Sequence, residues 1–187
     1  MPDPLELLRR AGTAAEQIIA GIPPGRLAGP TPCTGWDVRD VINHMANGNR
    51  RFAASITGTA GPGRGDDVLG GDPLAGFRDS LAAVLAAFGG EGVLQRIYPS
   101  PFGDLPGAAL ALLRAAELTV HAWDLAAATG QPRALDPEVV AAADQMLRSR
   151  PLARGSGAPF GEERSAPPGA SPADRLAAYA GRAVPAS

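Results

Sequence analysis

One stretch constrains the fold more than any other: LPGAALALLRAAELTVHAWDLAAATG. Over roughly 106 to 129 it reads as a helix facing a core, with Pro106 near its start and Gly130 and Pro132 as stop signals. Leu110 and Leu113 take core positions, and the same stripe continues through Glu117, Val120, His121 and Asp124. A carboxylate on an inward stripe is costly to bury unless something pairs with it. The rest of the chain therefore has to supply an apolar cover and partners for those polar groups.

Further helices are legible from caps and periodicity. Asp3-Pro4 opens the first, with Glu6 in a capping-box-like position, and Leu5, Leu8, Ala11, Ala15, Ile18 and Ile19 repeat at helical spacing up to Gly21. A second is expected to start at Thr34, with Asp37 three residues on, and to carry Val38, Val41, Ile42 and Met45 on one stripe. Asp72-Pro73 starts a third, whose Leu74, Phe77, Leu81, Val84, Leu85 and Phe88 form the cleanest amphipathic stripe. Another runs from Asp136-Pro137 to about Ser149, and Ser171 caps a short last one. Residues 57–72, TGTAGPGRGDDVLGGD, read as a Gly-rich connector, with a lid over a site as the sharper alternative. GVLQRIYPSPFGDLPG reads as an extended or turn-rich crossover, and 151–170 as irregular. Neither strand pairs nor an internal repeat stand out. The expectation is an all-α chain, one domain over 1–187, built as an up-down four-helix bundle with short extra helices and a long crossover.

What the chain lacks narrows its chemistry. All 17 basic residues are arginine, which removes a P-loop, Schiff-base or pyridoxal-phosphate lysine in one step. The single cysteine, Cys33, excludes an intramolecular disulfide and a zinc site made of several thiolates. A formal charge of −2 gives no electrostatic reason to expect nucleic acid or an anionic membrane. No apolar run approaches the ~18 residues of a bilayer span. The start, MPDPLELLRR, lacks the basic-then-apolar order of a secretory signal. A cytoplasmic protein acting on a small molecule is expected. A homodimer through helix faces is compatible with this, although no residue specifies it.

The only two histidines, His44 and His121, both fall on helix faces expected to look inward. His44 lies three residues after Val41 and beside Met45, while His121 is four after Glu117, which sets those two side chains on one face ~6 Å apart. Two imidazoles and one carboxylate form a three-ligand set that suits Zn²⁺, or Ni²⁺ and Fe²⁺ with less preference. Three protein ligands leave positions open for water or substrate. The bland alternatives are core histidines with backbone partners and a chance Glu–His spacing; the residues alone leave these open. Asp124 could accept the second N–H of His121 or pair with an arginine. Asp40, one turn before His44, has a similar, weaker relation to it. Cys33 could be activated by the following helix as nucleophile or extra ligand, or simply be packed, and packing is the favoured reading. Trp36 and Trp123 read as packing residues. Arg39, Arg50 and Arg51 either bind an acidic ligand or line a solvated face.

The blocks PTPCTGWDVRDVINHM and ELTVHAWDLAAATGQP, with PFGDLPG and the closing PADRLAAYAGR, resemble the DinB-like superfamily of helical-bundle metalloproteins. The nearer match is its actinobacterial branch, related to the N-terminal domain of mycothiol-dependent maleylpyruvate isomerase. The resemblance implies a DinB-like four-helix bundle and a divalent metal, usually zinc, on the matching residues His44, Glu117 and His121. It also implies a site able to take a low-molecular-weight thiol such as mycothiol for transfer or isomerisation of a small electrophile. The isomerase carries an additional C-terminal domain that contributes to its active site. No matching domain follows the bundle in this sequence, so the thiol-binding metal site is expected rather than maleylpyruvate isomerisation itself. Two alternatives accompany this reading: a non-catalytic metal- or ligand-binding module, and a thiol-independent tailoring enzyme using the metal as a Lewis acid.

Overall fold

A computed structural model of the chain describes residues 2–100, 103–149, 151–155 and 160–185, with only the backbone of Pro24. Six α-helices account for most of them: α1 (Pro4–Ala20), α2 (Val38–Thr57), α3 (Pro73–Phe88), α4 (Gly107–Thr129), α5 (Pro137–Arg148) and α6 (Pro172–Tyr179). Four begin with a proline directly after a capping side chain: Asp3, Asp72, Asp136 and Ser171 each accept from a backbone N–H of the first turn. The proline contributes no unsatisfied N–H, and the cap satisfies one of those that remain.

The four long helices close a ring of neighbours, α1 beside α4, α4 beside α2, α2 beside α3 and α3 beside α1. Leu7, Leu8, Ile42, Met45, Phe77, Val84, Phe88, Leu118 and Leu125 fill its interior. On the other side of α4, helices α5 and α6 build a second apolar cluster from Val120, Trp123, Val140, Leu147 and Leu176. Covered from both sides, α4 is apolar almost all round, as a central helix has to be. None of the described helices is long and apolar enough to cross a membrane.

Two details depart from what local pattern predicts. The second helix starts at Val38, not at Thr34. Asp37 is its cap and forms a reciprocal capping box with Asp40. Residues 30–37 instead make a compact turn, in which Thr31 Oγ1 bonds the backbone of Cys33 and Trp36 and Gly35 takes φ +82°. That left-handed residue stops a helix from running through the segment. The crossover also contains a strand pair, β1 (Ile97–Tyr98) antiparallel to β2 (Leu105–Pro106). Strands of two residues are too short to show an alternation in sequence. Pro101 and Phe102 of the crossover, and 156–159 of the expected irregular segment, lie outside the described residues.

The Gly-rich connector is tied down along α2. Asn43 and Asn47 donate to the Asp66 carbonyl, Asn47 also to that of Gly63, and Asn43 Oδ1 accepts from Val68 N. Arg39 bonds Asp67 and the Gly70 carbonyl, and Leu69 is buried. The connector reading fits this arrangement, and Arg39 is occupied by it.

Candidate functional site

Three elements meet where the histidines lie. Helix α2 brings His44, α4 brings Arg114, Glu117, His121 and Asp124, and the turn before α2 brings Cys33 and Trp36. The two imidazoles sit edge to face with ring centroids 4.9 Å apart. The Trp36 ring lies 4.7 Å from His44 and 6.3 Å from His121. Trp36 is 38% exposed, so it forms a wall of the site open to solvent; the packing role expected for it holds only for Trp123, whose Nε1 donates to Asp174 inside the second cluster.

Burial pushes the His44 pKa from its ordinary 6.5 down to about 3, and His121, Arg114, Arg51 and Arg64 add to the effect by charge. Removing water penalises the imidazolium, and nearby positive groups penalise it further. His44 is therefore a neutral ring with a free lone pair across the physiological range.

Glu117, one turn before His121, faces Arg114. This arginine is wholly buried and donates to Glu117 Oε2 (3.0 Å), Asn49 Oδ1 (2.8 Å) and the Met45 carbonyl (2.7 Å). Glu117 keeps a third of its side chain exposed, so the carboxylate is anchored at one oxygen while remaining reachable from solvent.

On the other side of His121, Asp124 is fully buried. It receives Arg182 at both oxygens (Nε to Oδ1 3.0 Å, Nη2 to Oδ2 2.8 Å), and the Cys33 thiol donates to Oδ2 at 3.1 Å. His121 Nδ1 lies 3.0 Å from the same oxygen. Burial pushes the Asp124 carboxyl up, but hydrogen bonds from His121 and Arg182 reverse this and hold it well below the ordinary carboxylate range. Burial, then the negative charge of Asp124, push the Cys33 thiol up to about 12. An activated thiolate is thereby disfavoured, and Cys33 does more than pack because it hydrogen-bonds at the site. Cys33, His121 and Asp124 each offer a donor atom, and these lie within 4.8 Å of one another, close enough to hold a metal ion.

The two histidines that the sequence singled out are thus brought together, but Glu117, one turn before His121, is turned to Arg114. Among the described residues the donor group within 4.8 Å is Cys33, His121 and Asp124 rather than His44, Glu117 and His121. Asp40 is spent on the capping box of α2. Arg50 is exposed and Arg51 half-buried. Sequence reasoning missed Arg114 and Arg182. The first had a readable signal, an arginine inside an apolar helix three residues before a glutamate. The second had none, since it follows α6 and meets α4 only through packing.

Residues 8–126 match the model of the mycothiol maleylpyruvate isomerase N-terminal domain family. An uncharacterized protein of Mycobacterium tuberculosis is 37% identical over 189 residues, covering 97% of this chain and 99% of its own. A second uncharacterized protein of that organism is 27% identical over 161 residues, covering 76% of this chain and 59% of its own. Among solved structures, a variant of mycothiol-dependent maleylpyruvate isomerase superposes with a TM-score of 0.62 at 16% identity, over 76% of this chain and 68% of that one. A second structure of the isomerase gives 0.56 at 19% identity, over 67% and 61%. At these identities the superpositions establish the fold alone, and that fold is the all-α, DinB-like one.

Proposed function

The chain belongs to the family of the mycothiol maleylpyruvate isomerase N-terminal domain, and on that premise we propose a cytoplasmic metal-dependent enzyme. It would use a low-molecular-weight thiol, mycothiol or a relative, for transfer or isomerisation of a small electrophile. His44, Glu117 and His121 are the ligands in this reading, and the ion is zinc before nickel or iron. The observation that carries it is the pair of imidazoles 4.9 Å apart, drawn from two helices, with His44 held neutral. Neutral imidazole is the form that ligates, and Glu117 would add one negative charge from the adjacent turn, so the donor types suit a divalent ion. In this reading Glu117 has to swing from Arg114 toward the imidazoles to complete the set.

When bound, such an ion acts as a Lewis acid and favours the thiolate form of a thiol it ligates. The chain's own residues supply the rest. Arg114 anchors the Glu117 carboxylate from beneath, through a guanidinium that is itself fixed by Asn49 and Met45. Trp36 presents an apolar ring beside both histidines. Cys33 donates to Asp124 and its thiol is pushed up by burial, so in this reading the reacting thiol is the cosubstrate's.

Metal analysis of tag-free protein tests the first half. One equivalent of divalent metal is expected, lost in His44→Ala with an unchanged circular-dichroism spectrum; metal-free protein with an intact fold overturns it. Cobalt-substituted protein tests the second half. Mycothiol should shift the visible absorption, and turnover of a panel of electrophiles should require it. Turnover without thiol would favour the tailoring enzyme, and tight metal binding with no turnover the binding module.

A further inference from the structure

The Asp124–Arg182 pair has no part in the function proposed above, yet it is the most heavily bonded charged group near the histidines. Three donors converge on Oδ2 alone: Arg182 Nη2, the Cys33 thiol and His121 Nδ1. Arg182 is fixed in turn by its Nη1 bond to the Ala180 carbonyl (2.8 Å), and its Nη2 lies 3.5 Å from Cys33 Sγ. A carboxylate held by a guanidinium fork only accepts, so the ring nitrogen facing it has to carry the proton. The lone pair of His121 is then on Nε2.

We propose that Asp124 and Arg182 are positioning residues that lock His121 in its Nδ1–H form and reserve Nε2 for a metal ion. The proposal rests on the reading of His121 as a ligand. It also assigns the Cys33–His121–Asp124 group a different part from the one its spacing allows. An ion seated there would need the carboxylate oxygen that Arg182, the Cys33 thiol and His121 already share. The three side chains act instead as a hydrogen-bonded clamp. Arg182 lies outside the 8–126 family match, so the segment after α6 completes the site from beyond it.

With only two histidines in the chain, His44→Gln leaves His121 as the single imidazole to observe. Long-range ¹H–¹⁵N spectra of metal-free, histidine-labelled protein, taken above the ordinary histidine range, should show a protonated Nδ1 and a bare Nε2. In Asp124→Asn the amide can present an N–H to Nδ1, so the signals should move toward the Nε2–H form. In the otherwise native chain that substitution should weaken zinc binding by about 10–100-fold. Arg182→Met should shift both readouts in the same direction, and Arg182→Lys, which keeps the charge, should restore much of each. If Arg182→Met does not fold, the His44→Gln spectrum and Asp124→Asn still decide the matter. An Nε2–H tautomer with Asp124 intact, or a folded Asp124→Asn protein with unchanged tautomer and unchanged zinc affinity, overturns the proposal. An Nδ1–H tautomer in a protein that binds no metal would uphold the clamp and overturn only the metal reading.

Discussion

Arg114 and Arg182 are both buried arginines bonded to a carboxylate of α4, but their partners differ in access to water. Arg114 holds Glu117, a third of which is exposed, whereas Arg182 holds Asp124, which is fully buried. A partly exposed carboxylate can exchange a lost partner for water, and a buried one has no such recourse. The same ion pair therefore ranges from replaceable to indispensable, depending on where its acid lies.

Asp124→Ala should break that contrast most severely. It leaves the Arg182 guanidinium buried without its carboxylate, at a cost of about 3–5 kcal/mol, visible as a large drop in thermal or urea midpoint. A loss under ~1 kcal/mol would show that water reaches Arg182 after all. Arg114→Met should cost less, about 1–3 kcal/mol. The substitution strands Asn49 Oδ1, while the Met45 carbonyl keeps its helical bond and Glu117 turns to solvent. If it costs more than Asp124→Ala, partner exposure is the wrong explanation.

The two sides should also respond differently to acid. Arg114 is among the positive groups lowering the His44 pKa, and Arg182 is not. His44 takes a proton at its ordinary 6.5 when unfolded but only near 3 when folded. The unfolded chain thus binds more protons in this window, so stability falls as pH drops below 6.5, by at most about 1.4 kcal/mol per unit from this group. Urea unfolding of metal-free protein from pH 7.5 to 4 should show the slope, flattened in His44→Gln. The smallest effect is expected of Gly48→Ala. A Cβ at that position would collide with the Arg114 guanidinium, which three hydrogen bonds prevent from yielding easily. The clash should offset the usual gain in helix propensity, leaving a net loss of about 1 kcal/mol in place of a gain.

How far the sequence could be read follows from the range over which each feature acts. Asp-Pro and Ser-Pro helix starts, the stripes of α1 and α3 and the extent of α4 are settled within a few residues, and the structure has them where pattern puts them. The start of α2 escaped because Thr34 imitates a cap locally, while Gly35 and the bonds of Thr31 hold the segment as a turn. His44 and His121 were legible as a pair because the chain has no others and each lies on an inward-facing stripe. Trp36 was not, because the wall it forms depends on how that turn folds over α2.

By itself the sequence determined that α4 would be a core-facing helix carrying Glu117, His121 and Asp124 on consecutive turns of one stripe, since 3.6-residue periodicity is a local property. Only the tertiary structure decided which group answers each of them. Arg182 meets Asp124 from 58 residues away and Cys33 meets it from 91 away, and neither separation leaves a periodic trace. Such pairings are selected by the packing of α6 and the 30–37 turn against α4. A fully buried carboxylate needs a cation, and the fold, not the neighbouring sequence, dictates which arginine is within reach.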